Sequence, residues 1–376
     1  MAAGKESRLG VPGRFVRGAM PALSPVREAA PAEDLSWIRT EELPGGALRV
    51  ITDTLAAVIE PDGSISSLRD ASGREYTQGA FNRLRLFRDV PGNYDAWDIL
   101  ATYPEIELPL RLDRAVSLSF RDGETAAFTC ALSTEKSCFT RTLRFFRGVC
   151  AVETEHHADW HEDHVLARAE FGCAVRAPYA QCDTGAGFIT RETNRNTTWQ
   201  QARFEVCQHK WTDLSETGGG VAVINDGKYG VGIRENVISV SLLRATCRPD
   251  LVSDRGTHDF GYLIVPHPGS AQAAGINRLA LEYNTPLLQA GLPAFRLPET
   301  GTLFLQGMKQ SEDGQKLILR FTEQDGCRGT IRFPWPVTVT NLLEDGERET
   351  DTLEYTPFEM LTVAVDPRRA ASLLEQ

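Results

Sequence analysis

Short alternations of apolar and polar residues, broken by tight turns, run through this chain from Ala47 onward, and no segment carries a long apolar repeat of helical period. A strand turns successive side chains to opposite faces. LRVITDTLAAVIE, RLRLFRDV, AVSLSF, AAFTCAL, FTRTLRFF, GVAVIND and ISVSLLRA therefore each offer one face to a core and one to water. Six Asp-Gly steps, beginning at Asp62, Asp122, Asp226, Asp313, Asp325 and Asp345, supply the positive-φ residues that hairpin turns need. These features predict an all-β protein whose interior is built by sheets facing sheets.

At 376 residues the chain exceeds one ordinary core, which predicts two domains. Residues 1–44 mix Pro, Gly, Ala and charge without a period and read as a linker or N-terminal extension, or as a strand contributed to something upstream. A large antiparallel sandwich is expected over 45–290. After LPAFRLPET, the runs KLILRFTE, GTIRF, VTVTNLL and MLTVAV predict a smaller C-terminal β-sandwich over 296–376. In it Leu317, Leu319 and Phe321 share one face, and Ile318, Arg320 and Thr322 the other.

A formal charge of −11 opposes a polyanionic partner, because phosphate binding relies on clustered Lys and Arg, so no nucleic acid is expected. Eight cysteines without a CxxC pair read as reduced thiols of a cytoplasmic protein. No apolar run is long enough for a bilayer, and the first twenty residues lack an export-type apolar stretch.

Three segments carry candidate chemistry. RETNRNTTWQQARFEVCQHKWTDLSE, residues 191–216, interleaves Trp199, Phe204 and Trp211 with charged and amide groups, as a wall binding a hydroxyl-rich ligand would. Arg191, Asn194, Arg195 and Asn196 offer donors there, with Glu205, Asp213 and Glu216 as their anchors. Tyr94-Asp95-Ala96-Trp97-Asp98 follows a strand and a Pro-Gly turn; aromatic faces suit the C–H patches of a sugar ring and carboxylates its hydroxyls. The bland alternative is a structural corner with Trp97 buried and an Asp as cap. The run from His156 to His164 holds four of the seven histidines. On a strand His157, Asp159 and His161 would share a face and could hold a metal; the alternative, which the strand-rich context favours, makes Trp160 core and its polar neighbours solvated or hydrogen-bonded. His209, His258 and His267 read as structural.

The stretch from Ala202 to His267, ARFEVCQHKWTDLSETGGGVAVINDGKYGVGIRENVISVSLLRATCRPDLVSDRGTHDFGYLIVPH, closely resembles the C-terminal half of family 38 glycoside hydrolases, the retaining α-mannosidases. DVPGNYDAWDI, DWHEDHVLARAEF and NRNTTW resemble the branch that includes cytosolic α-mannosidases, and the likeness runs from about Leu48 to Val365. The resemblance implies a β-supersandwich of the galactose-mutarotase-like kind that packs against an N-terminal α/β barrel and closes one side of a mannose pocket. In that family the zinc ligands, the nucleophilic Asp and the acid/base residue lie in the barrel, so it implies no catalytic residue and no metal ligand here, with zinc belonging to the complete enzyme. Tyr94 and Arg191 are implied to reach the substrate, with Asp95, Asp98 and Asn196 behind them. The implied partners are a mannose-containing oligosaccharide and a catalytic barrel domain or chain. A surface made for that barrel would expose an apolar patch and favour association, an oligomer included. Two rival readings are a carbohydrate-binding or scaffold β-sandwich without hydrolysis, and a metal hydrolase built on the His156–His164 run.

Overall fold

The computed structural model describes residues 35–90, 92–285 and 300–370, with the two-residue strands Gly10–Val11 and Arg14–Phe15. Most of the expected extension 1–44, and the expected boundary between 290 and 296, lie outside the described residues. Ile38–Glu42 is itself a strand: it pairs with Leu48–Thr52, and Leu55–Ile59 and Ile65–Asp70 complete a four-stranded meander.

The chain divides into two compact units, which among the described residues comprise 10–11, 14–15, 35–90, 92–182 and 190–284, and 183–189, 285 and 300–370. A nine-stranded sheet runs in the order Phe188–Glu192, Tyr179–Asp183, Trp211–Glu216, Gly219–Asn225, Gly256–Pro268, Val152–Trp160, Cys138–Phe146, Thr125–Ser133, Arg111–Arg121. A six-stranded antiparallel sheet runs Val206–Cys207, Gly230–Arg234, Val237–Arg244, Val165–Cys173, Thr77–Arg88, Glu107–Leu108. Their inner faces and the meander share one apolar core. Phe171 of the six-stranded sheet meets Tyr262 of the nine-stranded sheet edge-on at 5.3 Å, which fixes the two layers at side-chain contact.

The alternation is visible residue by residue. In VETEHHADW, Val152, Thr154, His156, Ala158 and Trp160 point into the core while His157 and Asp159 face outward. Four of the six Asp-Gly steps close hairpins as expected: Asp62, Asp122, Asp313 and Asp345. Asp226 and Asp325 instead lead the chain to a strand that is not the neighbour of the one just left. Sequence periodicity did not reveal the helix Ile276–Asn284, which buries Ile276, Asn277, Ala280 and Tyr283. It is only nine residues long, too short for its period to stand out.

The smaller unit is built on a five-stranded sheet, Leu303–Gln310, Leu317–Glu323, Met360–Val365, Gly329–Thr340, Gly346–Tyr355. The long hairpin loses register between Arg332 and Val337, where Pro334 and Pro336 interrupt the ladder. Ile331, Phe333, Leu353 and Tyr355 join one core with Leu319, Phe321 and Val363. Leu319 and Phe321 share the core face as expected, but Ile318 and Thr322 on the other face are buried too.

Candidate functional site

The outer face of the six-stranded sheet concentrates charge where a solvated sheet would scatter it. Cross-strand register places Phe87, Leu166 and Arg244 in one row, Arg85, Arg168 and Ser241 in the next, and Arg83, Glu170 and Ser239 in a third. Gly232 stands opposite Ser239 on the following strand. A Cβ added at Gly230 would lie 2.6 Å from Glu205 Oε1, and one at Gly232 2.9 Å from Phe204 O. The two glycines thus leave space for the segment before Val206 to lie on the sheet. Arg168, fully buried, donates to Glu205 Oε2 at 2.8 Å, to Ser239 Oγ at 2.7 Å and to Ser239 O at 2.5 Å. Its guanidinium also lies 5.0 Å from the centre of the Tyr103 ring. Arg85 bridges Glu170 at 2.7 Å and Glu107 at 2.5 Å. Buried charge is tolerated because it is paired and hydrogen-bonded.

The excursion from Asp89 to Ile106 leaves the end of one of these strands. Asp95 is buried, and its Oδ2 accepts from Cys247 N at 2.9 Å and His164 Nε2 at 3.2 Å. Burial works to raise the Asp95 pKa, but the Cys247 amide and His164 outweigh it and hold the acid below its usual value. Arg244 donates through Nε to Asp89 Oδ2 at 2.6 Å and through Nη2 to the Asp98 carbonyl. Above these anchors the amides of Trp97 and Asp98 both donate to Tyr94 O, at 3.1 and 3.0 Å. Tyr94 is 66% exposed and Trp97 73%. The structural-corner alternative is therefore half right: an Asp anchors the turn, but the Trp points outward. Farther along, Tyr103 packs on Phe87 at 5.2 Å, and burial raises its phenol pKa within the fields of Arg168, Glu205 and Arg195.

The 191–216 segment does not form one wall. Arg191 is half-buried and donates from Nη2 to Cys207 O at 3.0 Å. Arg195 donates to Phe204 O and Ile233 O at 3.3 and 3.1 Å; burial, then the neighbouring cation Arg234, lowers its pKa. Asn196 is exposed, and its backbone amide donates to Gln200 Oε1, beside the Thr197–Gln200 capping box that opens the short helix Thr198–Gln201. The three carboxylates expected to anchor these donors go elsewhere: Glu205 to Arg168, Asp213 to His267 at 2.8 Å, Glu216 to Arg74 at 2.9 Å. Trp211 is core, donating to Asn277 Oδ1 at 2.7 Å, whereas Trp199 is exposed. A period-2 strand runs from Trp211 to Glu216, and its inward positions were indistinguishable by composition from ligand-facing ones. Tyr103 of the 89–106 excursion meets Arg168, which pairs with Glu205, and Arg195 acts on the same phenol. Of these, Tyr103 and Arg168 were not singled out from the sequence, although an Arg inside the apolar run VLARAEF is a readable signal of a buried pair.

His157 and Asp159 do share an outward face, but His157 Nδ1 meets Asp259 at 2.7 Å and His161 Nε2 meets Asp159 at 2.7 Å as separate, exposed pairs. His156 points the other way, stacked on Phe260 at 5.0 Å, and Trp160 is core. Among the described residues no three His, Cys, Asp or Glu side chains gather where they could hold a metal ion. This donor set does not fit zinc. His267 is buried against Asp213, and His258 Nε2 lies 2.6 Å from Asp254 O.

Two all-β units thus follow one another along the chain, the first with a charged outer face. Residues 51–251 match the glycosyl hydrolases family 38 C-terminal domain, and residues 302–363 the family 38 C-terminal beta sandwich domain. The chain belongs to glycosyl hydrolase family 38. It is 35% identical over 299 residues to Alpha-mannosidase 2C1 of Mus musculus, covering 75% of this chain and 29% of that protein. Over 353 residues it is 30% identical to Alpha-mannosidase G of Dictyostelium discoideum, covering 84% and 32%. It thus spans less than a third of the length of these relatives. An alpha-mannosidase from Enterococcus faecalis superposes with a TM-score of 0.68 at 13% identity, over 85% of this chain and 42% of that one, a likeness of fold.

Proposed function

We propose that the chain is the substrate-cleft region of an α-mannosidase that hydrolyses terminal α-mannosides with retention, its zinc and hydrolytic carboxylates being carried by a part of the enzyme outside these two domains. The observation that carries this reading is the corner Tyr94–Asp98: the exposed Tyr94 ring on a turn held from below by buried Asp95 and by Arg244. A rigid, exposed aromatic turn suits the apolar face of a pyranose. Tyr94 and Arg191 contact the mannoside; Asp95 acts through the turn it anchors, and Asp98 and Asn196, both exposed, supply the polar rim. The partners are a mannose-containing oligosaccharide and a catalytic barrel, which would cover the exposed Val90, Leu100 and Ile106 near the same corner. Eight free cysteines support a cytoplasmic location, and no described helix is long and apolar enough to cross a membrane.

The purified chain should bind methyl α-mannoside in titration calorimetry, lose that binding on Tyr94→Ala or Arg191→Ala without a change in melting temperature, and leave a chromogenic α-mannoside intact with zinc present. Turnover by the chain unaided would overturn the proposal.

A further inference from the structure

The same corner presents a second aromatic face. Trp97 stands three residues after Tyr94 and is the more exposed of the two, with most of its indole open to water. Exposed tryptophan on a mobile loop would mean little, but this turn is fastened at four points. The amides of Trp97 and Asp98 close onto Tyr94 O. Asp95 receives Cys247 N and His164 Nε2, and Arg244 grips the Asp98 carbonyl while it holds Asp89. The anchors of Asp95 and Asp98 come from outside the turn: Arg244 and Cys247 at and just past the end of Val237–Arg244, and His164 just before Val165–Cys173. His164 itself sits at a φ of 51°, a backbone position few side chains adopt, and its amide donates to Ala245 O while its carbonyl accepts from Asp89 N. The backbone under Trp97 is therefore determined from several sides, while the indole makes no hydrogen bond or ring contact among those described. A side chain left open on a preorganised turn loses little conformational freedom when a ligand covers it.

From this geometry we infer that Trp97 is a sugar platform for the unit next to the terminal mannose, so that the corner reads two residues of an oligosaccharide: Tyr94 the first and Trp97 the second. The inference rests on the proposed role of Tyr94 and extends it from one sugar to two. The exposed Asp98, adjoining Trp97 in sequence, supplies an acceptor for hydroxyls at the rim of the second sugar. A pyranose ring stacked on indole buries its C–H face without requiring any buried polar group to be matched, so the platform selects for chain length more than for linkage.

The test compares methyl α-mannoside with an α-linked mannobiose by titration calorimetry on the full chain and its Trp97→Ala and Tyr94→Ala variants. The disaccharide should bind about fivefold to tenfold more tightly than the monosaccharide, the gain of one aromatic contact. Trp97→Ala should remove that gain and leave the monosaccharide constant unchanged; Trp97→Phe should restore part of it. Tyr94→Ala should weaken both ligands. Because the indole is largely outside the fold, unchanged melting of Trp97→Ala serves as the folding control. Equal affinity for the two ligands, or a disaccharide constant indifferent to Trp97→Ala, overturns the inference and leaves the cleft reading standing. Failure of the wild-type chain to bind either ligand overturns both.

Discussion

Glu205→Ala should unfold the larger unit far more readily than its position in a loop suggests. Arg168 has no exposed surface, and Glu205, at a side-chain exposure of 19%, is the one carboxylate among the described residues that ion-pairs with it, at 2.8 Å. Removing one partner of a buried pair leaves the other charged and desolvated, at a cost of roughly 3–5 kcal/mol. Two features place the expected value near the lower end, about 3 kcal/mol. Ser239 still accepts from two of the guanidinium nitrogens, and Glu170 lies within reach through Ser239 Oγ, 3.4 Å away. The double replacement Arg168→Met with Glu205→Leu removes the charge and fills the space, so it should fall within about 1 kcal/mol of wild type. Urea unfolding followed by tryptophan fluorescence reads this unit, since Trp37, Trp97, Trp160, Trp199 and Trp211 lie in it and only Trp335 outside. A loss below about 1 kcal/mol for Glu205→Ala, or a double variant as damaged as the single one, would refute the claim that this pair holds the loop to the sheet.

Acid should destabilise the larger unit through His156. Burial, then the cations Arg141 and Lys228, push its pKa well below 6.5, so the folded state keeps it neutral while the unfolded chain takes up a proton. Full stability holds above the unfolded value of 6.5 and falls below it by about 1.4 kcal/mol per pH unit until the folded pKa is reached; His156→Gln should flatten this slope in pH-dependent urea melts. Gly172→Ala should abolish or severely weaken folding, because its Cβ would lie 2.1 Å from Gln78 O and 2.9 Å from Ala80 O, both backbone atoms; soluble yield and circular dichroism are the readouts. Trp160→Ala, which empties a fully buried site beside Phe139, should cost about 3–5 kcal/mol in the same urea assay, and a near-neutral result would show that the core collapses into the gap.

Much of the architecture was legible in the chain because strand periodicity and turn chemistry are local. RLRLFRDV, FTRTLRFF and ISVSLLRA became strands, and the turns at Asp62, Asp122, Asp313 and Asp345 became hairpins, since each depends on neighbours within a few residues. The same local reading also separated the outward His157 from the inward Trp160.

What local pattern could not decide was where each polar side chain finds its partner. Asp226-Gly227 and Asp325-Gly326 look like the other turns, yet they send the chain to non-neighbouring strands, because pairing is settled by which apolar faces meet. Glu205, Asp213 and Glu216 lie within twelve residues of one another, but Arg168, His267 and Arg74 draw them to three separate places. Whether Trp97 or Asp95 occupies the interior of their turn depended on Cys247, His164 and Arg244, far along the chain. Sequence alone therefore determined the alternation, the turns and a family likeness, whereas tertiary contact decided which charges are buried in pairs and which aromatic rings remain open, since both depend on long-range partners that no local period encodes.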